Sequence, residues 1–388
     1  MANPATPSRG PLTGLSVVEL AGIGPAPFAA MLLADLGADV IRIDRPGGGT
    51  TFGPYDNDLL NRGRPSVAVD LKHPEGVRVV LDLAARADAV IESFRPGVAE
   101  RLGVGPDDCQ ARNELLVYGR MTGWGQDGPL AHTAGHDVGY VALTGALHAI
   151  GDAGGPPQIP LNLVGDFGGG AMYLVVGILA AVMEARTSGK GQVVDAAIVD
   201  GASHLTMMVR GMLAAGSWQD RRGVNIFDGG APFYAVYETS DGRHITLAPL
   251  EPQFYRELLD RLGLADAPGL PDRADRSAWP RLRQRLAERI ASRSLAEWLQ
   301  VFEGSDACVA PVLSLDEAPR HPHLAARETF VDHGGVLQPA PAPRFSRTPA
   351  ALSSPPSRPG QDTRTALHAW GITDVDHLVA AGAVYEES

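Results

Sequence analysis

The chain has 388 residues, of which 44% are hydrophobic and 20% are charged, and its formal net charge is −12. This length predicts two domains, and the acidic balance argues against a nucleic acid or an anionic membrane surface as a partner, although a local basic patch could still bind a phosphorylated ligand. The two cysteines, Cys109 and Cys308, are far apart in sequence, which argues against a disulfide framework or a structural zinc site.

The first 215 residues alternate short β-branched apolar runs with amphipathic helical segments. This alternation is typical of βαβ units, and it predicts a doubly wound α/β domain with a parallel sheet. The predicted strands are 15–20, 39–44, 66–71, 88–93, 115–123 and 192–200, and the predicted helices are 28–38, 74–87, 161–185 and one that ends near 215.

The pattern changes near residue 220. The segment 232–250 predicts a β-hairpin that turns at Asp241-Gly242. Helical patterns follow at 252–262, 277–292 and 295–303. Together these elements predict a smaller α+β domain. Residues 338–358, rich in Pro, Ser and Ala, predict an extended connector, and the rest of the chain is weakly helical.

The terminal segments and the apolar runs of the sequence indicate the cellular compartment in which we expect the protein. Residues 1–14 have no apolar segment of a signal peptide and predict a short disordered lead, and the last four residues are not a peroxisomal address. The longest apolar run, 171–183, is shorter than a membrane-spanning helix requires. We therefore expect a cytoplasmic protein without a membrane span.

The first βα turn contains Gly22 and Gly24, and Asp44 follows 20 residues after Gly24. This arrangement partly matches the dinucleotide-binding fingerprint, in which an acidic residue binds the ribose. Pro27 occupies the third glycine position, however, so the close packing of helix on strand that the fingerprint requires is lost. A nicotinamide-dependent dehydrogenase is therefore the least favoured of the enzyme classes considered.

Four basic residues follow predicted strands: Arg45, Lys72, Arg95 and Arg101. In open α/β sheets, ligands bind beyond the carboxyl ends of the strands. Cations that gather there on an acidic protein indicate a ligand with phosphate groups. The alternative interpretation is that each is a solvated surface charge.

A single carboxylate, Asp166, precedes Phe167 and three glycines at the start of the most apolar helix. One interpretation is structural, because Asp is a favoured N-cap residue. The other is chemical: the glycines let a ligand approach the backbone, and the helix start offers N–H donors to a negative charge.

Two further residues are candidates for acid–base chemistry. His136 lies in a loop between Gly135 and a helical segment, and it could face Asp166 across a cleft as the second member of a two-base pair, although a lone histidine is more often structural. Glu251 follows a predicted strand of the smaller domain, where it could orient a histidine or simply begin the next helix. The remaining histidines lack metal-ligand spacing, so no metal site is expected.

Six stretches of the sequence resemble the α-methylacyl-CoA racemases, which are a branch of the family III CoA-transferase (CaiB/BaiF-like) superfamily. They are LSVVELAGIGPAPFAAMLLADLGADVIRIDRPGG, IESFRPGVAERLG, RMTGWGQDGPLAHTAGHDVGY, PLNLVGDFGGG, SGKGQVVDAAIVDG and NIFDGGAPFYAVYETSDGRHI. The resemblance extends from about residue 11 to about residue 347.

The resemblance implies a large doubly wound domain built from both ends of the chain, a smaller domain, and two chains that interlock into a homodimer. The implied segments are a CoA-binding α/β domain at 1–200, a linker helix at 201–224, a small α+β domain at 225–330, a Pro-rich linker at 331–360, and C-terminal helices at 361–388 that return to the large domain.

The resemblance also implies the roles of individual residues. The catalytic pair of the racemases corresponds to His136 and Asp166, and Glu251 of the partner subunit would hold His136. The family has Ile-Asn where this chain has Val138-Gly139. The CoA-binding positions correspond to Arg45, Val69, Asp70, Leu71, Lys72, Ser93, Phe94, Arg95, Arg101, Gly135, Asp137, Val138, Gly139 and Tyr140.

The implied activity is inversion of the C2 stereocentre of 2-methylacyl-CoA thioesters by two-base proton transfer through an enolate. It requires no cofactor, because CoA is part of the substrate. Two alternatives remain: a CoA-transferase that uses Asp166 as nucleophile and needs no catalytic histidine, and a non-catalytic acyl-CoA-binding protein. The presence of His136 favours the racemase.

Overall fold

The computed structural model describes residues 10–49, 51 and 53–387, so most of the lead predicted at 1–14 lies outside the described residues. The chain divides into two compact units. The larger unit comprises the residues up to Thr144, Leu161–Leu205 and the residues from Ala326 onwards, and the smaller unit comprises Gly145–Pro160 and Thr206–Ala325. The larger unit thus combines sequence from the N-terminal and the C-terminal parts of the chain. The segment Gly145–Pro160, which was predicted to belong to the large domain at 1–200, groups with the smaller unit.

The strands are numbered in chain order. They are β1 (Ser16–Leu20), β2 (Asp39–Asp44), β3 (Ser66–Val69), β4 (Ala89–Glu92), β5 (Val117–Thr122), β6 (Val193–Ala197), β7 (Ala235–Glu238), β8 (His244–Leu247), β9 (Val309–Pro311), β10 (Phe330–His333), β11 (Val336–Pro339) and β12 (Val384–Tyr385).

The helices are numbered in the same way. They are α1 (Pro25–Asp35), α2 (Pro74–Ala84), α3 (Val98–Leu102), α4 (Pro106–Gln110), α5 (Asp137–Thr144), α6 (Ala146–Ala149), α7 (Met172–Ser188), α8 (Ile198–Leu205), α9 (Met207–Ala214), α10 (Pro252–Leu262), α11 (Trp279–Ile290), α12 (Leu295–Phe302), α13 (Pro322–Ala326), α14 (Thr363–Ala369) and α15 (Val375–Ala380). A π-helix, Leu163–Ala171, runs directly into α7.

The larger unit is built on a seven-stranded sheet with the order β12-β3-β2-β1-β4-β5-β6. All neighbouring strands are parallel except β12, which runs antiparallel to β3 at the edge. The chain leaves β1 toward β2 on one side and later returns to β4 on the other side. The carboxyl ends of β1 and β4 therefore form the switch point at which α/β sheets bind ligands.

Apolar cores cover both faces of this sheet. On one face the buried residues of α2, α14 and α15 pack against the strands, and on the other face α1 and α7 do so. Strands covered on both faces read as continuous apolar runs rather than alternating ones, which is why β1, β2 and β4 were recognisable in the sequence. The predicted α/β class with a parallel sheet is confirmed.

The continuous helix Leu163–Ser188 is, within the described residues, the one helix long and apolar enough by length and composition to cross a membrane. In its most apolar window, with a mean hydropathy of 1.7, 44% is buried inside the protein. Its inward residues Leu174, Ile178 and Ala181 pack in the core beneath the sheet, as a core helix of an α/β domain does.

The smaller unit contains a three-stranded antiparallel sheet, β7-β8-β9. The hairpin predicted around Asp241-Gly242 is present, with Glu238 opposite His244 and Ala235 opposite Leu247. Helices α10, α11 and α12 pack on it around the fully buried Trp298. All three were predicted from their apolar periodicity, whereas the short strand β9 was not.

Two parts of the predicted elements are wrong. The strand predicted at 192–200 ends at Ala197, where α8 begins, because an apolar run does not by itself mark the change from strand to helix. The connector predicted at 338–358 begins inside the β10–β11 hairpin, whose register pairs Phe330 with Pro339.

Candidate active site

A cavity of about 1020 Å³ in the larger unit opens at the carboxyl ends of β1 to β5. Because the strands are parallel, the loops that follow them meet at this edge of the sheet, as the sequence predicted. The predicted residues that line it are Arg45, Val69, Asp70, Leu71, Lys72, Ser93, Phe94, Arg95, Gly135, His136, Asp137, Tyr140 and Asp166.

The turn after β1 forms the floor of the cavity at the switch point. Gly24 has a φ of +70°, which only glycine adopts without strain. A Cβ atom on Gly24 would lie 3.2 Å from Oδ2 of Asp166, and one on Gly22 would overlap the hydroxyl of Ser93. Gly24 and Gly22, which partly match a dinucleotide fingerprint in sequence, therefore make room for Asp166 and Ser93 respectively.

Asp166 is the fourth residue of the π-helix, whose N-cap residue is Asn162. The structural interpretation of Asp166 as an N-cap is therefore wrong. π-Helices are rare and concentrate at functional sites. Within the helix, Nδ2 of Asn162 lies 3.4 Å from Oδ2 of Asp166, and Asp166 is half-buried beside the cavity.

The three glycines after Phe167 do not serve the purpose expected of them. None of Gly168, Gly169 and Gly170 lines the cavity. A Cβ atom on Gly169 would lie 2.6 Å from the backbone nitrogen of Ala202, and one on Gly170 would contact Ile198 at 3.1 Å. These glycines let the π-helix pack closely against α8, and the glycine that makes room beside Asp166 is Gly24.

A hydrogen bond joins the two motifs that carry the candidate catalytic pair. The backbone N–H of Asp166 donates to Oδ1 of Asp137 at 2.7 Å. The first N–H groups of a helix have no partner within the helix, and Asp137, from the start of α5, supplies one. Gly165 allows this approach, because a Cβ atom there would lie 2.2 Å from the same carboxylate oxygen.

Burial raises the pKa of Asp166 to about 6, and the negative charge of Asp137 adds to this increase. The hydrogen bond from Asn162 and the charge of His136 act in the opposite direction. Burial also raises the pKa of Asp137. A carboxyl group with a pKa near neutrality can both donate and accept a proton at physiological pH.

His136 immediately precedes α5, and its carbonyl oxygen accepts the N–H groups of Gly139 and Tyr140. Its side chain is exposed and lines the cavity. Within the part of the chain that the structure describes, the imidazole makes no hydrogen bond. The ring is therefore available to a ligand or to a group from another chain.

Tyr140 lines the cavity and is affected electrostatically by both Asp166 and Arg95. Its ring packs against Gly123 and Gly135, where Cβ atoms would overlap it, and meets Trp124 edge-on with ring centroids 4.6 Å apart. Burial raises its pKa, the charge of Asp166 raises it further, and the charge of Arg95 lowers it.

Three exposed cations, Arg45, Lys72 and Arg95, follow β2, β3 and β4 and line the cavity. Nε of Arg45 donates to the carbonyl oxygen of Gly48. No carboxylate among the described residues forms an ion pair with any of the three. Unpaired cations at adjacent strand ends can bind the phosphate groups of a ligand.

Four of the predicted residues do not line this cavity. Arg101 is exposed on α3, and Val138 and Gly139 lie on α5. Glu251 belongs to the smaller unit. It is the exposed N-cap residue of α10, and its side chain makes no capping hydrogen bond.

The lining residues that sequence analysis missed include Trp124, Asn162 and Tyr55. Trp124 follows a strand, like the cations, and could have been found by the same argument. Asn162 lies four residues before Asp166, a spacing that brings side chains together on a helix. Tyr55 lies in a short 3₁₀-helix that has no comparable signal. Among the described residues, no cluster of His, Cys, Asp or Glu could hold a metal ion.

Comparison with known proteins gives a consistent result. The sequence model of CoA-transferase family III matches residues 12–363. The chain is 43% identical over 370 residues to alpha-methylacyl-CoA racemase from Mus musculus, covering 95% of each chain. It is also 43% identical over 343 residues to alpha-methylacyl-CoA racemase from Homo sapiens, covering 88% of each.

A solved structure supports the fold. A CaiB/BaiF family protein from Brucella suis superposes with a TM-score of 0.81 at 27% identity, covering 93% of this chain and 100% of that one. The family match spans the cavity, the catalytic candidates and the whole of the smaller unit. The chain therefore belongs to CoA-transferase family III.

Proposed function

We propose that this protein is a racemase that inverts the C2 stereocentre of 2-methylacyl-CoA thioesters. Its similarity over nearly the whole chain to two alpha-methylacyl-CoA racemases supports this activity. The observation that carries the chemistry is that His136 and Asp166 line one cavity, with the pKa of Asp166 raised to about 6. A transferase would need the carboxylate but not the histidine.

The two groups act on opposite faces of the α-carbon. For one enantiomer His136 removes the α-proton while protonated Asp166 supplies one to the other face, and for the opposite enantiomer the roles reverse. Both productive forms carry one proton on the pair, so kcat/KM has the same bell-shaped pH dependence in both directions. Proton transfer changes no oxidation state, and CoA enters as part of the substrate.

The enolate oxygen requires fixed hydrogen-bond donors, because the α-proton of a thioester is only weakly acidic. The N–H of Asp166 is occupied by Asp137. We therefore assign the donor role to those N–H groups in the first turns of α5 and of the π-helix that have no acceptor of their own, which excludes the N–H groups of Gly139 and Tyr140. Arg45, Lys72 and Arg95 would bind the phosphate groups of CoA.

The resemblance to the racemases supports two further assignments. The protein would act as an interlocked homodimer, and Glu251 of the partner subunit would orient His136. Among the described residues, the side chain of Glu251 makes no capping hydrogen bond and the imidazole of His136 makes no hydrogen bond, which fits these roles. Light scattering at micromolar concentration should give twice the mass of one chain, and an active monomer would remove Glu251 from the site.

The reaction can be tested with one enantiomer of a 2-methylacyl-CoA in deuterium oxide. The racemase should incorporate deuterium at C2 and bring the mixture toward equal amounts of both enantiomers. His136→Ala and Asp166→Ala should each abolish inversion, because inversion needs both faces. Each variant should still exchange the α-proton of the one enantiomer that its remaining group can reach.

The same assay distinguishes the alternatives. A transferase would move CoA to an added carboxylate, and this transfer would survive His136→Ala but not Asp166→Ala, because a mixed anhydride needs only the carboxylate. Binding of several acyl-CoAs of different chain length without exchange or transfer would indicate a non-catalytic protein. The control variant Asp200→Asn removes a carboxylate from α8 that does not line the cavity, and it should behave as the unmodified protein.

A further inference from the structure

Asp137 occupies a position between the two candidate catalytic groups. It is the chain neighbour of His136, and its Oδ1 accepts the backbone N–H of Asp166 at 2.7 Å. It is also the first residue of α5, so a change in its side chain would act at the junction of α5 and the π-helix. The resemblance assigns this residue only to CoA binding, but its carboxylate is directed at the protein backbone.

We infer that Asp137 is a positioning residue that holds Asp166 and His136 at a fixed separation by joining the start of α5 to the π-helix. This inference rests on the proposed racemase function. A two-base reaction needs both groups within hydrogen-bonding reach of one carbon atom, and an error of about 1 Å can cost about 100-fold in rate. A single short hydrogen bond from the residue next to His136 supplies that constraint.

The residues around this hydrogen bond leave both the space and the unpaired N–H group that it needs. Gly165 is buried, and a Cβ atom there would lie 2.2 Å from Oδ1 of Asp137 and 2.8 Å from Cγ2 of Val141. The π-helix leaves the N–H of Asp166 without an intrahelical partner, because its first hydrogen bond runs from the N–H of Phe167 to the carbonyl oxygen of Asn162. Glycine at 165 and the wider helix thus both permit the contact.

The charge of Asp137 has a second effect on the same group, since it helps to raise the pKa of Asp166. The other groups that act electrostatically on Asp166 are His136 and Asn162, while Tyr140 is itself affected by it. On α8, Asp200 acts on Asp195 and His204 is hydrogen-bonded to Tyr173. Among the residues that the structure describes, Asp137 is therefore the carboxylate that raises the pKa of Asp166.

Two substitutions separate the hydrogen bond from the charge. Asp137→Asn keeps an acceptor oxygen but removes the charge, whereas Asp137→Ala removes both. In both variants the acidic limb of the kcat/KM profile should move to lower pH. Only Asp137→Ala should also lose at least tenfold in kcat, with KM for the CoA thioester unchanged. Asp107→Asn, an exposed carboxylate in the first turn of α4, is the matched control and should change neither quantity.

Hydrogen exchange of the Asp166 amide gives a readout that does not depend on activity. Protection should persist in Asp137→Asn and be lost in Asp137→Ala. Gly165→Ala provides a second variant if Asp137→Ala is unstable, because the new methyl group would displace the carboxylate and expose the same amide. Unchanged protection of this amide in Asp137→Ala and in Gly165→Ala would overturn the inference. So would equal kcat in Asp137→Asn and Asp137→Ala, or an effect on KM alone. Absence of racemisation in the unmodified protein would instead overturn the proposed function, and the amide would still report the contact.

Discussion

Two groups of charged residues in the larger unit, one in the sheet and one at the cavity, are arranged in opposite ways. In the sheet, Glu19 on β1 and Arg64 before β3 form a fully buried pair of opposite charges, with Oε2 and Nε 2.8 Å apart. Burial raises the pKa of Glu19 and lowers that of Arg64, and the attraction between the two charges opposes both shifts. At the cavity, by contrast, the two carboxylates Asp137 and Asp166 lie side by side.

The difference shows what each arrangement is for. Opposite charges neutralise each other, and removing one leaves the other buried and unpaired at a large cost in stability. At the cavity, burial and then the like charge of Asp137 raise the pKa of Asp166, which costs stability but prepares the group for proton transfer. The first arrangement should therefore be required for folding, and the second for activity.

The largest effect on activity should come from Asp166→Asn, which keeps the shape of the side chain and removes its proton chemistry. Racemisation should fall by about 100- to 10,000-fold, the usual contribution of a general acid or base. The unfolding temperature at pH 7 should be equal or higher, because an ionised half-buried group is removed. Assays of initial rate and thermal unfolding on the same sample would check both. A loss of stability together with the loss of rate would show that Asp166 is required for folding as well as for activity, which would contradict the difference drawn between the two groups of charges.

Arg64→Met should instead destabilise the fold by about 3–5 kcal/mol, because it leaves Glu19 unpaired in the core. Urea unfolding would measure this change. Adding Glu19→Leu to the same chain should recover part of the loss, since two apolar side chains then replace the pair. The exposed pair of Arg186 and Asp88 is the control, and Arg186→Met should cost less than about 1 kcal/mol.

The rim cations, Arg45, Lys72 and Arg95, extend this comparison because they are exposed and form no ion pair with any described carboxylate. Arg45→Ala and Arg95→Ala should each weaken substrate binding by about 1–3 kcal/mol, as expected for a charge-assisted hydrogen bond to phosphate. KM should rise while kcat and the unfolding temperature stay nearly constant. Arg112→Ala, on the exposed surface away from the cavity, should leave KM unchanged. An unaltered KM in both variants would show that these two residues are solvated surface charges that do not bind the substrate.

The smallest effect is a difference in pH dependence. Because the pKa of Asp166 is about 6 in the folded protein and near 3.9 in an unfolded chain, the folded state binds more protons between about pH 4 and pH 6. The contribution of Asp166 to stability is therefore present below about pH 4 and is lost as the pH rises through about 6. The difference in unfolding temperature between Asp166→Asn and the unmodified protein should grow over this interval, and a constant difference would show that the pKa is not raised.

The amino-acid sequence by itself determined the parallel sheet and the location of the site. Continuous apolar runs separated by helical segments specify strands buried on both faces, and parallel strands bring their carboxyl ends to one edge. Arg45, Lys72 and Arg95 were therefore predictable as neighbours from their positions after β2, β3 and β4. The hairpin at Asp241-Gly242 was predictable as well, because its turn and strands are local.

The tertiary structure decided how the two catalytic motifs meet. Asp137 and Asp166 are 29 residues apart, and neither periodicity nor turn chemistry encodes a contact at that separation. The π-helix was likewise invisible, because its sequence reads as the start of an ordinary apolar helix and its extra residue per turn depends on packing against α8. For the same reason the roles of the glycines were misassigned: whether a glycine faces a ligand, a helix or a carboxylate is set by what the fold places opposite it.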